Sequence, residues 1–336
     1  MEHVDKHFYG WIFCRQQLSS SNQRMEGVAI DPAGRQIALA LSDSGTVQIY
    51  RRTTAGFEIQ SAPQCVLPAA YSGLHYPHDV DFSPDGRLLA VADRHSMVLI
   101  FARRDIDGGY GPEPACEIAG ETSGLTYTDG AAFVPPDGAI LAACNLASNK
   151  ITFYRRISSN APRYENTPFY VLQGDGINEP DGLAFSNDGE YLAVANHGNH
   201  SVAIFRQRRH ADQSDFAFDL DSIIADTTVR FSHSVAFTPR YNHLLLTNAG
   251  ANYANIYRCQ VQNDADVTWT DRPSQQLLVG DDEQFANVNT CNRMEGGPKG
   301  VALDRRTLAI CRPETGLNLY AYSEYPEGIV LHSKPV

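Results

Sequence analysis

The stretch from His78 to Arg104 reads HDVDFSPDGRLLAVADRHSMVLIFARR. It contains a short run of strand-forming residues, a Ser-Pro-Asp-Gly turn, a second run LLAVA, a polar loop, and a third run ending in Arg-Arg. Asp-Gly between two apolar runs is the strongest short-range hairpin signal, because the tight turn needs a positive φ that these residues tolerate. The same pattern returns in EGVAIDPAGRQIALALSDSGTVQIYRR from Glu26, DGAAFVPPDGAILAACNLASNKITFYRR from Asp129 and DGLAFSNDGEYLAVANHGNHSVAIFRQRR from Asp181. It returns again in HSVAFTPRYNHLLLTNAGANYANIYRCQ from His233 and KGVALDRRTLAICRPETGLNLYAYS from Lys299. Successive starts lie 52, 51, 52, 52 and 66 residues apart.

A fourth, weaker run follows, as in ACEIAG and FYVLQ. Four antiparallel strands per unit at this spacing mark a propeller blade. The chain is therefore expected to be all-β, a six-bladed β-propeller forming one domain over residues 1–336. The leading segment FYGWIFCR, residues 8–15, precedes Glu26 by the distance at which a fourth strand precedes the other starts. It should close the ring as the outer strand of the last blade, and the tail EGIVLHSKPV competes for the same edge. Only residues 280–298 exceed the repeat; a loop of this length without a pattern of its own points to function, here a lid over the channel mouth.

Composition narrows the classes of partner. Of 336 residues, 27 are Lys or Arg and 39 Asp or Glu, a net charge of −12, which argues against a nucleic-acid surface built on clustered cations. There is no long apolar run, and the amino terminus is charged on both sides of a short apolar patch, so neither a membrane helix nor a secretory signal is visible. A cytoplasmic protein is expected, with a small polar molecule as partner, no nucleic acid and no membrane. The seven cysteines lack CxxC spacing and fall mostly inside apolar runs, as small hydrophobes do.

All six unit starts are ionisable: Glu26, His78, Asp129, Asp181, His233 and Lys299. Random strand starts would include Ser, Thr, Gly and apolar residues. An all-ionisable ring at one channel mouth is a functional-site candidate. Loops that open beside these starts add Arg94, His95, Asn145, Asn196, His197, Asn248 and Arg312, and the connections before them add His75, Asn178 and Glu179. His95, Asn145, Asn196, His197, Asn248 and Arg312 are the expected substrate-binding groups. Asp79 and Asp81 stand where other blades carry Gly, Ser or Ala; Asp81 reads as a hydrogen-bonded structural residue and Asp79 as a partner of His78. His200 reads as structural. The motif RMEG occurs at 24–27 and again at 293–296, but strand alignment matches Lys299, not Glu295, to Glu26.

The units EGVAIDPAG, DGLAFSNDGEYLAVAN and DGAAFVPPDGAILAACN resemble the blades of the regucalcin (SMP-30), gluconolactonase and NHL-like group. The resemblance implies a divalent metal on the channel axis, held in the hydrolases of that group by Glu, Asn, Asn and Asp at the strand starts. The matching positions are Glu26, Asp129, Asp181 and His233, so two amides become carboxylates and one carboxylate an imidazole. Calcium prefers an all-oxygen shell, while imidazole suits transition metals, leaving calcium, a transition metal or no metal open.

The expected activity is metal-assisted hydrolysis of a lactone or related ester, with His78, Asp129, Asp181 and Lys299 as catalytic groups. Two alternatives stand beside it: a metal-free acid/base cyclase, isomerase or lyase using the His and Asp pairs, and a non-catalytic propeller that binds a protein or ligand.

Overall fold

The computed structural model describes residues 16–18, 24–53, 61–104, 109–158, 161–208, 216–263, 266–279, 295–313 and 316–332. Six antiparallel sheets follow one another around a central axis. The innermost strands of blades 1 to 6 are Met25–Ile30, Pro77–Phe82, Thr128–Phe133, Pro180–Phe185, Ser232–Phe237 and Val301–Leu303. Within blades 1 to 5 the strands pair in chain order; in blade 1, Met25–Ile30, Gln36–Leu41, Thr46–Arg51 and Cys65–Leu67 run from axis to rim. Blade 5 adds a two-stranded ribbon, Cys259–Asn263 with Asp266–Trp269, before its outer strand Gln275–Leu278. Among the described residues, no helix is long and apolar enough to cross a membrane.

The period-2 pattern explains why the core lies between blades. Along Gln36–Leu41, Ala38 and Ala40 pack toward blade 2, whereas Ile37, Leu39 and Leu41 pack toward blade 6. Six buried clusters result, one per blade interface, and the one joining Leu39 and Leu41 to Ala309, Cys311, Leu317 and Leu319 closes the ring. The described cysteines are free thiols; Cys144 and Cys311 are buried in these clusters, while Cys14 and Cys291 lie outside the described residues.

Ring closure uses both ends of the chain. The long strand Gly316–Tyr325 pairs through Leu317–Leu319 with Gln16–Leu18, and through Ala321–Tyr325 with Gly328–His332. The amino-terminal strand thus closes one half of the edge, and the carboxyl-terminal segment expected to compete for it covers the other half. The pairing strand is Gln16–Leu18; residues 8–15 lie outside the described residues.

Candidate functional site

The first five innermost strands carry the same irregularity. Pairing with the next strand slips by one residue between Met25 and Val28, Pro77 and Asp79, Thr128 and Ala131, Pro180 and Leu183, and Ser232 and Val235. Such bulges re-aim side chains. The second residue of each strand, Glu26, His78, Asp129, Asp181 or His233, falls inside the slip. The following residue is Gly in three of these five strands because the next blade comes very close: a Cβ on Gly182 would lie 2.5 Å from the His233 carbonyl oxygen.

Glu26, His78, Asp129, Asp181, His233 and Lys299 are all buried. Glu26 Oε2 lies 3.3 Å from His233 Nε2, 3.8 Å from His78 Nε2 and 3.9 Å from Lys299 Nζ. Its other oxygen accepts from Arg24 Nε. Asp181 Oδ1 is 3.7 Å from His78 Nδ1, and its Oδ2 is 3.8 Å from His233 Nε2 and 3.5 Å from His197 Nδ1. Asp129 is committed differently, because both oxygens accept from Arg94, at 2.7 and 3.0 Å. The ring encloses a cavity of about 10 Å³, lined also by Asp79, Gly182 and Ser234, room for one water or one ion.

Charges in and around the ring pair off: Glu26 with Arg24, Asp129 with Arg94, Glu295 with Lys299 at 3.1 Å, and Asp181 with His197. Burial alone would raise the Glu26 carboxyl, but Lys299, His233, His78 and Arg24 hold it well below the usual range. Burial likewise opposes ionisation of Asp181, yet His233, His197 and His78 keep it low. Burial, with Arg94 next, pushes His78 down to about 4, and burial also lowers His233, so both imidazoles are neutral at pH 7. His197 goes the other way: against burial, the neighbouring carboxylates of Asp181 and Glu295 raise it to about 9.

His78 Nδ1 lies 3.0 Å from the carbonyl oxygen of Asp129. A carbonyl only accepts, so Nδ1 carries the proton and Nε2 presents its lone pair to the cavity. Glu26 Oε2, His78 Nε2 and His233 Nε2 are buried without a hydrogen-bond partner, although buried polar atoms almost always have one. Glu26, His78 and His233 each offer a ligand atom within 4.8 Å of the others; His78, Asp129 and Asp181 form a second such group. Separations of 3.3 and 3.8 Å resemble the ~3.3 Å between tetrahedral ligands at about 2.0 Å from an ion. In the second group, Arg94 and the Nδ1 proton engage the donors. His78, expected as a catalytic group, thus faces the cavity beside Glu26 and His233, while Asp129 is turned to Arg94.

The other expected groups separate into two sets. Asn145, Asn196 and Asn248 end the second strands, one strand farther from the axis, and are fully buried. Their Oδ1 atoms accept the backbone N–H of Thr126, Asn178 and Arg230 at 2.9 to 3.0 Å, and Asp93 does the same for His75 and Tyr76. They hold the loops and do not reach the cavity. Arg312, also buried, donates to the Gly296 carbonyl at 3.3 Å. His95 stands at the rim, 59% exposed, with its ring centre 4.6 Å from that of His75 in a tilted arrangement. His197 bridges Asp181 and, at 3.2 Å, Glu295.

Glu295, set aside by strand alignment, is therefore part of the site. Arg94, one of the loop groups beside the ring, anchors Asp129, and Arg24, whose position before Glu26 carries no periodic signal, anchors Glu26. Asp81 Oδ2 accepts from Phe133 N at 2.8 Å, Asp79 Oδ2 from Ala131 N at 3.4 Å, and His200 Nδ1 from Phe231 N at 3.0 Å, all across blade interfaces. Of the 280–298 insertion, residues 280–294 lie outside the described residues.

No family model matches the chain, and no curated protein matches its sequence. Solved structures do match in fold. A candidate 6-phosphogluconolactonase of Bacteroides uniformis superposes with TM-score 0.62 at 14% identity, over 92% of this chain and 84% of its own. The periplasmic gluconolactonase of Pseudomonas aeruginosa gives 0.58 at 16%, over 93% and 84%. The Cps50 (Swd1) β-propeller domain of Myceliophteria thermophila gives 0.55 at 12%, over 88% and 83%. At these identities the likeness establishes the propeller fold, an architecture that carries many functions.

Proposed function

We propose that this propeller is a metal-dependent hydrolase of lactones or related esters, with its centre at Glu26, His78 and His233. The observation that carries the reading is the trio of partnerless buried donors around a cavity sized for one ion. Two neutral imidazoles and one carboxylate suit zinc or another transition ion better than calcium. One structural neighbour is a candidate 6-phosphogluconolactonase and another a gluconolactonase, which favours a lactone as the ester.

When bound, such an ion polarises a carbonyl and lowers the pKa of water. The chain's own residues supply the rest. The Nδ1–H of His78 on the Asp129 carbonyl fixes the ring and aims Nε2 inward. Arg24 anchors Glu26 through Oε1 and leaves Oε2 facing the cavity. Lys299, held by Glu295, sets a fixed positive charge beside Glu26, where negative charge on a substrate oxygen would be stabilised. His197, protonated at neutral pH and still partly exposed, is the group suited to give a proton to the leaving alkoxide, with Asp181 orienting its ring.

The charge balance of the ring favours the metal-free acid/base reading as the second candidate. Hydrolysis of a panel of aldonolactones, before and after chelation, separates the two. Turnover lost on chelation, restored by zinc or manganese, and absent in His78→Ala and His233→Ala supports the metal reading. Turnover indifferent to chelator would refute it.

A further inference from the structure

Tyr127 stands two residues before Asp129, and its backbone is left-handed, with φ at 51°. A bulky side chain is rarely tolerated there, whereas glycine adopts the same conformation without strain. The equivalent residues of the next two blades are also left-handed, with φ 46° at Glu179 and 48° at Phe231, but their side chains pack on neighbours. Phe231 meets His197 and His200, with ring centres 5.2 and 4.4 Å away, and Glu179 lies over Gly198, where a Cβ would meet its Oε2 at 2.8 Å. Tyr127, by contrast, is 43% exposed. Its N–H donates to Ser96 Oγ of the preceding blade at 2.8 Å, a bond that any residue but proline could make. The fold therefore carries a strained aromatic residue whose side chain buries little, a combination that recurs at functional sites.

The support beneath Tyr127 is rigid. The Arg94 guanidinium sits 5.1 Å from the Tyr127 ring centre and 5.5 Å from that of the half-buried Tyr76, within cation–π range of both. Arg94 is itself locked by Asp129, whose two oxygens accept from it at 2.7 and 3.0 Å, and Asp129 lines the cavity. A continuous series of contacts thus runs from the ring to two tyrosines at the mouth. A cavity of about 10 Å³ holds no organic substrate, so the body of any substrate rests above the ring, beside these tyrosines. The chemistry there suits a flat apolar group. An aromatic ring held by a guanidinium offers its surface for stacking at little entropic cost, whereas Asn145, Asn196 and Asn248, which could have met hydroxyl groups, are engaged by loop backbone.

We propose that Tyr127, backed by Arg94 and flanked by Tyr76, is a stacking platform at the channel mouth that favours lactones or esters carrying an aryl group over their aliphatic counterparts. This rests on the hydrolase reading for the reaction but not for the binding. Isothermal titration of the full chain, in chelator to keep turnover out, tests it with δ-valerolactone, a benzo-fused δ-valerolactone (isochromanone), and the ring-saturated analogue of the latter, which adds the same carbons without the flat face. The benzo-fused lactone should bind at least about tenfold more tightly than either of the others. That preference should fall about tenfold in Tyr127→Gly and Tyr127→Leu, and stay within about twofold in Tyr127→Phe, which keeps the ring.

Melting followed by circular dichroism adds a readout free of any ligand. Tyr127→Gly should melt no more than about 3 °C below the parent, because glycine relieves the left-handed strain and little packing is lost. A larger fall would make Tyr127 a structural residue and overturn the platform. Equal binding of the benzo-fused and saturated lactones, no binding of any of them, or a preference intact in Tyr127→Gly would overturn it as well. An aryl preference without any hydrolysis would remove the hydrolase reading alone. Hydrolysis with no aryl preference would remove the platform alone.

Discussion

Two rings of polar side chains lie at the same end of this channel and differ in one respect. The inner ring holds Glu26, His78, Asp129, Asp181, His233 and Lys299; the second, one strand farther out, holds Asp93, Asn145, Asn196, Asn248 and Arg312. Both are buried. In the second ring, Asp93 and the three amides accept from loop backbone, while in the inner ring three donors find no hydrogen-bond partner. Polarity in a propeller's centre therefore does not identify a site by itself; what sets the inner ring apart is that its unpaired atoms converge on one cavity, each such buried group costing about 1–3 kcal/mol.

The largest stability effect should come from the second ring. Asn196→Leu removes the acceptor for Asn178 N–H and the donor to Gly176 O, leaving two backbone groups unpaired. We expect a loss of about 3 kcal/mol in urea denaturation, with the metal content of the remaining folded protein unchanged. A variant as stable as the parent would erase the distinction between the rings.

Gly182→Ala probes the packing that brings the inner ring together. Its Cβ would meet the His233 carbonyl oxygen at 2.5 Å and Ser234 Cα at 2.9 Å, both backbone. The melting transition should record a loss of about 2 kcal/mol, accompanied by weaker metal retention as His233 is pushed from Glu26.

A smaller effect belongs to His197, raised to about 9 against an ordinary 6.5 by Asp181 and Glu295 despite burial. A raised histidine stabilises the fold fully below its unfolded pKa, and that contribution fades as pH rises through about 9. Stability should therefore fall by on the order of 1 kcal/mol between pH 7 and pH 9, and His197→Gln should flatten this slope. An equal slope in the variant would detach His197 from the ring.

Much of this was legible in the sequence, for physical reasons. Hairpin turns such as SPDG and SNDG fix the blade register, and a fixed register delivers the second residue of the first five innermost strands to the axis. What the sequence does not carry is the satisfaction of each group. Asn196 and His233 are both polar residues at strand ends, and only the positions of Asn178 N–H and Glu26 Oε2 tell them apart. Glu295 escaped because it reaches the ring from a connecting segment, outside the repeat. The shared closure escaped because Gly316–Tyr325 is long enough to pair with both chain ends.

The central claim is that the inner ring holds a metal through Glu26, His78 and His233. Elemental analysis by plasma mass spectrometry of chain purified without chelator tests it most directly, alongside Glu26→Gln and Asn145→Asp as variants of the two rings. We predict near-stoichiometric transition metal in the parent and in Asn145→Asp, and its loss from Glu26→Gln with the fold retained. A parent free of metal after dialysis against zinc or manganese, or a Glu26→Gln chain that keeps the parent's metal content, would contradict the account.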